Sequence, residues 1–133
     1  MKIVSPDDAG LRRAVRWLQD AKPVGMPTET VYGLAAPFDD VTAVAAVFEA
    51  KRRPSFDPLI VHVEDPTSLP SIADLRGFAV EERARLDALL ERFWPGPLTV
   101  VVPKLPLVPD LVTSGHPTVA VRCPRHPVAR DLI

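Results

Sequence analysis

Proline most constrains how this chain can fold: 16 of its 133 residues are proline, about 12% against a usual ~5%. A residue without a backbone N–H interrupts helix interiors and central strand ladders, so regular elements have to fit between the prolines. Here they do. Pro23, Pro58, Pro97 and Pro117 each stand just ahead of a short Val/Leu/Ile-rich run, a place where strands tolerate proline. The prolines therefore punctuate structure rather than mark disorder. A content of 47% hydrophobic and 25% charged residues is close to the globular average and excludes wholesale disorder. One domain of this length buries roughly two-thirds of its unfolded surface.

Between the prolines the elements can be read in order. Ser5-Pro6-Asp7-Asp8 predicts a helix start, with a capping hydroxyl, proline at the first helical position and acids at the positive dipole end. Leu11, Ala14, Val15 and Leu18 then recur at helical spacing, with Arg12, Arg13 and Arg16 turned outward. Pro23 to Pro27 frames a short strand that enters the polar turn Thr28-Glu29-Thr30-Val31-Tyr32-Gly33-Leu34. Asp39 or Asp40 caps a second helix that buries Val44, Val47 and Phe48 and ends near Lys51-Arg52-Arg53-Pro54. Residues 59–63 read as a strand with Leu59, Val61 and Val63 on one face and Ile60 and His62 on the other. A third helix over 80–93 carries Leu86, Leu89, Leu90 and Phe93 at helical spacing. Pro95-Gly96 predicts a type II turn with glycine at φ > 0, and 98–102 and 118–122 are two more strands. The alternation implies an α/β (α+β) domain, a mixed β-sheet flanked by helices, over residues 1–133. His126-Pro127-Val128 opens a last helix that stops at Ile133 after about two turns, leaving Leu132 and Ile133 exposed. The expectation is a truncated domain.

The chemistry is constrained first by exclusions. A net charge of −1 provides no global field toward nucleic acid or anionic lipid. The lone Cys123 cannot form an internal disulfide, which suits a reducing compartment. No signal peptide or membrane span is visible, so a soluble cytoplasmic protein is expected. Glycines at 10, 25, 33, 77, 96 and 115 form neither a dinucleotide fingerprint nor a phosphate loop. Cys123 and His126 are too few ligands for zinc, and neither a Ser-His-Asp order nor paired catalytic acids stand out. Four features remain, each with two readings. Lys51 and Arg53 can project together past a helix end and suit a polyphosphate, or they merely solvate a helix C-terminus. His62 is a ligand or a hydrogen-bonded strand histidine. Arg122, emerging from Val-Ala-Val, needs either a bound anion or a structural partner. Thr28, Glu29 and Thr30 form a binding turn or a simple capping turn.

Four blocks of this sequence resemble the signatures of the YrdC family. They are Pro-Thr-Glu-Thr-Val-Tyr-Gly-Leu at 27–34, Lys-Arg-Arg-Pro-Ser-Phe-Asp-Pro-Leu-Ile-Val-His-Val at 51–63, Phe-Trp-Pro-Gly-Pro-Leu-Thr at 93–99 and Thr-Val-Ala-Val-Arg-Cys-Pro-Arg-His-Pro at 118–127. The resemblance implies a twisted mixed sheet with a concave basic pocket. It also implies an L-threonylcarbamoyladenylate synthase, a nucleotidyltransferase that joins L-threonine, bicarbonate and ATP, with Mg2+ accompanying the nucleotide. A transferase complex then moves the threonylcarbamoyl group to a tRNA adenosine. By that resemblance Thr30, His62 and Arg122 contact threonine, while Lys51, Arg53, Asp57 and Thr118 line the ATP site, with Lys51 and Arg53 acting in catalysis. Asp57 replaces the family's usual Asn, and the family's Ser-x-Asn block falls beyond Ile133. The alternatives are a non-catalytic YrdC-like RNA-binding module, with weak RNA affinity, or the YrdC-like part of a carbamoyltransferase for hydrogenase maturation.

Overall fold

The computed structural model describes residues 3–52, 54 and 56–133. Helix α1 (Asp8–Gln19) leads to β1 (Val24–Met26) and β2 (Gly33–Ala35), and α2 (Val41–Lys51) to β3 (Ile60–His62). A 3-10 turn (Pro66–Ser71), α3 (Val80–Phe93), β4 (Thr99–Pro103), α4 (Asp110–Thr113), β5 (Thr118–Arg122) and α5 (Pro127–Leu132) complete the order. The strands form two small sheets rather than one: an antiparallel β1–β2 hairpin and a mixed sheet in the order β3-β5-β4. Strand β5 lies parallel to β3 and antiparallel to β4. It is the central strand, paired on both sides, whereas β4 ends on Pro103 at the edge.

Alternation then separates the two faces of this sheet. Val61, Val100, Val102, Val119 and Val121 point into the main core, with Val44 and Phe48 of α2, Leu86 and Leu90 of α3, Leu69, Val108 and Val112. Ile60, His62, Thr118, Ala120 and Arg122 lie on the opposite face, with Val101 exposed beside them. A second, smaller cluster joins Ala14 of α1, Met26 of β1 and Ala129 and Leu132 of α5. The hairpin is therefore seated on the terminal helices, not on the main core.

Three local expectations are corrected. Helix α1 is capped by Asp7, whose carboxylate accepts from Gly10 N at 2.8 Å, and not by Ser5. On α3 the covered stripe is narrower than its apolar spacing implies: Leu86 and Leu90 are buried, while Leu89 and Phe93 are 44% and 43% exposed. Helical periodicity shows which residues share a side but not how wide the neighbouring layer is. Leu132 is only 8% exposed, because α5 packs on α1. The cap of α2 is Asp40, which accepts from Thr42 N and Ala43 N.

The turn at Trp94-Pro95-Gly96-Pro97 also differs from type II. Its Trp94–Pro95 peptide is cis, and Gly96 is not at positive φ. Glycine is needed there for space, since a Cβ would collide with the Phe93 carbonyl oxygen. Among the described residues no helix is long and apolar enough to cross a membrane.

Leu86→Ala should cost about 2–5 kcal/mol, the range for deleting a buried leucine side chain. Leu89→Ala, one turn away on the open side, should cost under about 1 kcal/mol. Urea unfolding of both variants checks this, and equal losses would refute the narrow stripe.

Candidate active site

The hairpin loop between β1 and β2 builds the first wall of the site. Thr28 closes it: its hydroxyl donates to Val31 O at 2.6 Å and accepts from the backbone N–H of Thr30 and Val31 at 3.2 and 3.1 Å. This side chain-to-backbone turn presents Glu29 and Thr30 toward the end of β5. There Arg122 Nη2 donates to Glu29 Oε1 at 2.8 Å and to Thr30 Oγ1 at 3.1 Å. Arg122 is only 8% exposed although it lies on the sheet's less covered face. The hairpin loop and the Trp94–Pro97 turn enclose it.

That turn is the second wall. Gly96 N donates to Cys123 O at 2.8 Å, and Gly96 O accepts from Arg122 Nε at 3.2 Å. Trp94 Nε1 donates to Leu98 O at 2.7 Å. The carbonyl of Gly96 is thus fixed beside the guanidinium by the residues around it. Glu29 is bound on its other oxygen as well, where Oε2 accepts from Arg125 N at 3.0 Å and His126 N at 3.3 Å. Burial raises the Glu29 carboxyl, but the Arg122 hydrogen bond, the backbone donors and the Arg122 charge outweigh it and lower it to about 2.

His62 pairs with Arg122 in the parallel register. Its Nδ1 lies 3.3 Å from Ile60 O. Burial, followed by the Ile60 hydrogen bond acting in the opposite sense and the repulsive Arg122 charge, leaves its pKa below the ordinary imidazole value. Neutral imidazole is therefore favoured beside a fixed cation.

The structure brings Thr30, His62 and Arg122 together. Thr118 stands on the same face as Arg122 but four residues earlier on β5, about 13 Å away at ~3.3 Å per residue. Asp57 lies in the connection from α2 to β3, which leads to the Thr118 end of the parallel pair. Lys51 is the last, exposed residue of α2, followed by Arg52 in the left-handed conformation. The helix ends where expected, and Arg53 lies outside the described residues. Cys123 is buried, with its thiol pushed up by that burial. Among the described residues no group of three or more His, Cys, Asp and Glu is placed to hold a metal ion.

Gly96 was not singled out as a site residue by the sequence, and Glu29 only as part of the turn at 28–30, not as the partner of Arg122. A signal for Glu29 was nonetheless present: an arginine at the end of an apolar strand needs an anion, and Glu29 is the sole acid in the 27–34 block. Nothing comparable pointed to the Gly96 carbonyl.

Comparison with known proteins agrees with this architecture. The Sua5_yciO_yrdC family, described as "Telomere recombination", matches residues 16–133. A threonylcarbamoyl-AMP synthase of Pyrococcus abyssi is 46% identical over 123 residues, covering 92% of this chain and 34% of the relative. One from Bacillus subtilis is 43% identical over 131 residues, covering 98% and 36%. The chain thus spans about a third of the length of these two relatives. The crystal structure of P. abyssi Sua5 complexed with L-threonine superposes with a TM-score of 0.86 at 42% identity, covering 99% of this chain and 36% of that one. E. coli YciO, at 21% identity and a TM-score of 0.76, covering 96% and 59%, shares the fold.

The low Glu29 pKa makes stability depend on pH. Its folded value of about 2 lies below the ordinary 4.5, so its contribution is complete above pH 4.5 and is lost as pH falls toward 2. Glu29→Gln should cost about 1.5–3 kcal/mol at neutral pH, the worth of a hydrogen bond to a charged group. The gap to the unmodified protein should narrow between pH 4.5 and 2, a window set by the same two values. Asp65 and Asp74 also have lowered values, but both persist in the variant, so the difference isolates Glu29. Urea midpoints across that range provide the check, and parallel curves would contradict the linkage.

Proposed function

This chain belongs to the Sua5_yciO_yrdC family, and from that premise we propose that it is the substrate-binding domain of a threonylcarbamoyl-AMP synthase. The proposed reaction joins L-threonine, bicarbonate and ATP into threonylcarbamoyl-AMP and pyrophosphate. One observation carries the proposal: Arg122 and Thr118 share one sheet face at opposite ends of β5, about 13 Å apart at ~3.3 Å per residue. That span suits a product that is an amino acid at one end and a nucleotide at the other. The names of the relatives in Pyrococcus abyssi and Bacillus subtilis, and L-threonine in the P. abyssi Sua5 crystal, support the same reading.

At one end, the threonine carboxylate meets the Arg122 guanidinium, with Thr30 and His62 beside it. At the other, Lys51 and Arg53 hold the phosphates, with Asp57 and Thr118 at the nucleotide. Bicarbonate takes up a proton and releases water to give CO2. The threonine amine, having lost a proton to solvent, adds to that CO2 and loses a second proton, giving a carbamate that reverts to amine and CO2 unless sheltered. A carbamate oxygen then attacks the α-phosphorus as the bond to pyrophosphate breaks. The lysine and arginine stabilise the charge that develops on the leaving group. No side-chain nucleophile takes part. Mg2+ enters as part of the MgATP substrate, where it neutralises phosphate charge. The product is a mixed anhydride, an activated acyl donor, and its consumer is a transferase acting on tRNA adenosine. The activity is expected where ATP and tRNA are both available, in the cytoplasm.

In the complete protein, Arg122→Ala should weaken L-threonine binding far more than ATP binding, by about 3–5 kcal/mol for a buried charge pair losing one partner. Calorimetric titration of both ligands measures it, and equal losses would reassign Arg122. Lys51→Ala or Arg53→Ala should slow ATP-dependent threonylcarbamoyl-AMP formation roughly 100- to 1,000-fold. Arg53→Lys should restore only part of the rate, because a point charge does not reproduce a guanidinium fork. Arg52→Ala should be nearly silent. Salt-dependent RNA binding without threonine-dependent ATP turnover would overturn the enzymatic reading in favour of an RNA-binding module.

A further inference from the structure

We infer that Glu29 is a positioning residue that stays on Arg122 while the amino acid binds, aiming the remaining guanidinium N–H pair at the substrate carboxylate. This rests on the reading above that Arg122 takes that carboxylate.

An arginine carries five N–H donors. On Arg122, Nε is used by Gly96 O at 3.2 Å, and Nη2 by Glu29 Oε1 at 2.8 Å and Thr30 Oγ1 at 3.1 Å. Nη1 has no partner among the described residues, so its two N–H groups remain for a ligand. A carboxylate can dock there without removing Glu29.

Glu29 itself is poorly suited to being displaced. Its second oxygen accepts from the backbone N–H of Arg125 and of His126, at 3.0 and 3.3 Å. A ligand that took its place on Arg122 and moved it away would also have to break those two hydrogen bonds, both made to a charged carboxylate oxygen. The side chain is 20% exposed, and its loop is closed independently by Thr28. The geometry is that of a buttress rather than a plug.

Charge gives the buttress a second consequence. The groups facing Glu29 are Arg122 from β5 and Arg125 and His126 from the segment before α5, with His62 of β3 close enough to feel the Glu29 charge. Glu29 neutralises Arg122, so the seat presents a directed donor pair with no net charge. Such a seat suits a zwitterion better than a bare cation would, because the ligand's own ammonium is not repelled by an unbalanced guanidinium.

The test is calorimetry on Glu29→Gln with three ligands: L-threonine, threoninol (an alcohol in place of the carboxylate) and ATP. Affinity for L-threonine should fall roughly 10- to 100-fold, as for a lost charge-assisted hydrogen bond, with threoninol and ATP unchanged. Loss of all three ligands by a folded variant would make Glu29 merely structural and overturn the inference. L-threonine binding that is unchanged or tighter would overturn it too, the latter by showing that Glu29 competes for Arg122. Absence of L-threonine binding to the unmodified protein would instead sink the functional reading itself, a distinguishable result. If the variant does not fold, the unmodified protein decides. The Glu29 side-chain carboxyl, followed by NMR, should keep its midpoint near about 2 when saturated with L-threonine. A midpoint that rises to the ordinary carboxyl range on saturation would show displacement and overturn the inference.

Discussion

A guanidinium on an otherwise open sheet face, held by one carboxylate, ties this molecule together. Arg122 and Glu29 lie 93 residues apart, and each belongs to a different packed cluster. The arginine ends the central strand of the main core. The glutamate rides on a hairpin seated on α1 and α5. Removing either group leaves a charge covered and unpaired, which is more costly than the pair is stabilising. The pair therefore acts chiefly on specificity: it permits one placement of the hairpin loop relative to the sheet and disfavours others.

Everything near the site is arranged around that placement. Central strand β5 commits Val119 and Val121 to the core, so alternation puts Thr118, Ala120 and Arg122 on the face that remains. The Trp94–Pro97 turn reaches the same point from β4's side, with Gly96 bonded through both its N–H and its carbonyl to residues at the end of β5. His62 follows from the parallel register with β3. These are rigid supports, and they leave the Arg122 Nη1 pair as the directed donors of the pocket. Placing the guanidinium in advance would lower the ordering cost of binding the proposed amino acid. The chemistry proposed for the site asks for that kind of help, because it uses no covalent intermediate on the protein.

Much of this organisation was legible before any coordinates. The prolines delimited the strands, and β1, β3, β4 and β5 each follow a proline by one or two residues. The Asp40 cap, the end of α2 at Lys51 and the alternation of residues 59–63 were local patterns read from a handful of neighbours. Family blocks located Thr30, His62 and Arg122, which the fold draws to one place. Local patterns failed where the answer depended on a neighbour elsewhere in the chain. Leu89 and Phe93 obey helical periodicity yet remain outside, and Leu132 is buried by a helix more than a hundred residues earlier.

The sequence by itself determined the approximate places of α1, α2, α3, β1, β3, β4 and β5, because capping, proline exclusion and apolar alternation act over a few residues and need no distant partner. Tertiary structure alone decided that the strands divide into a hairpin and a mixed sheet, that Gly96 is a glycine for space rather than for φ, and that Glu29 supplies the anion Arg122 requires. The physical reason is that a buried charge fixes the kind of partner it needs but not its address. The address is set by strand register and by which helices cover the hairpin, and both emerge only when the whole chain packs.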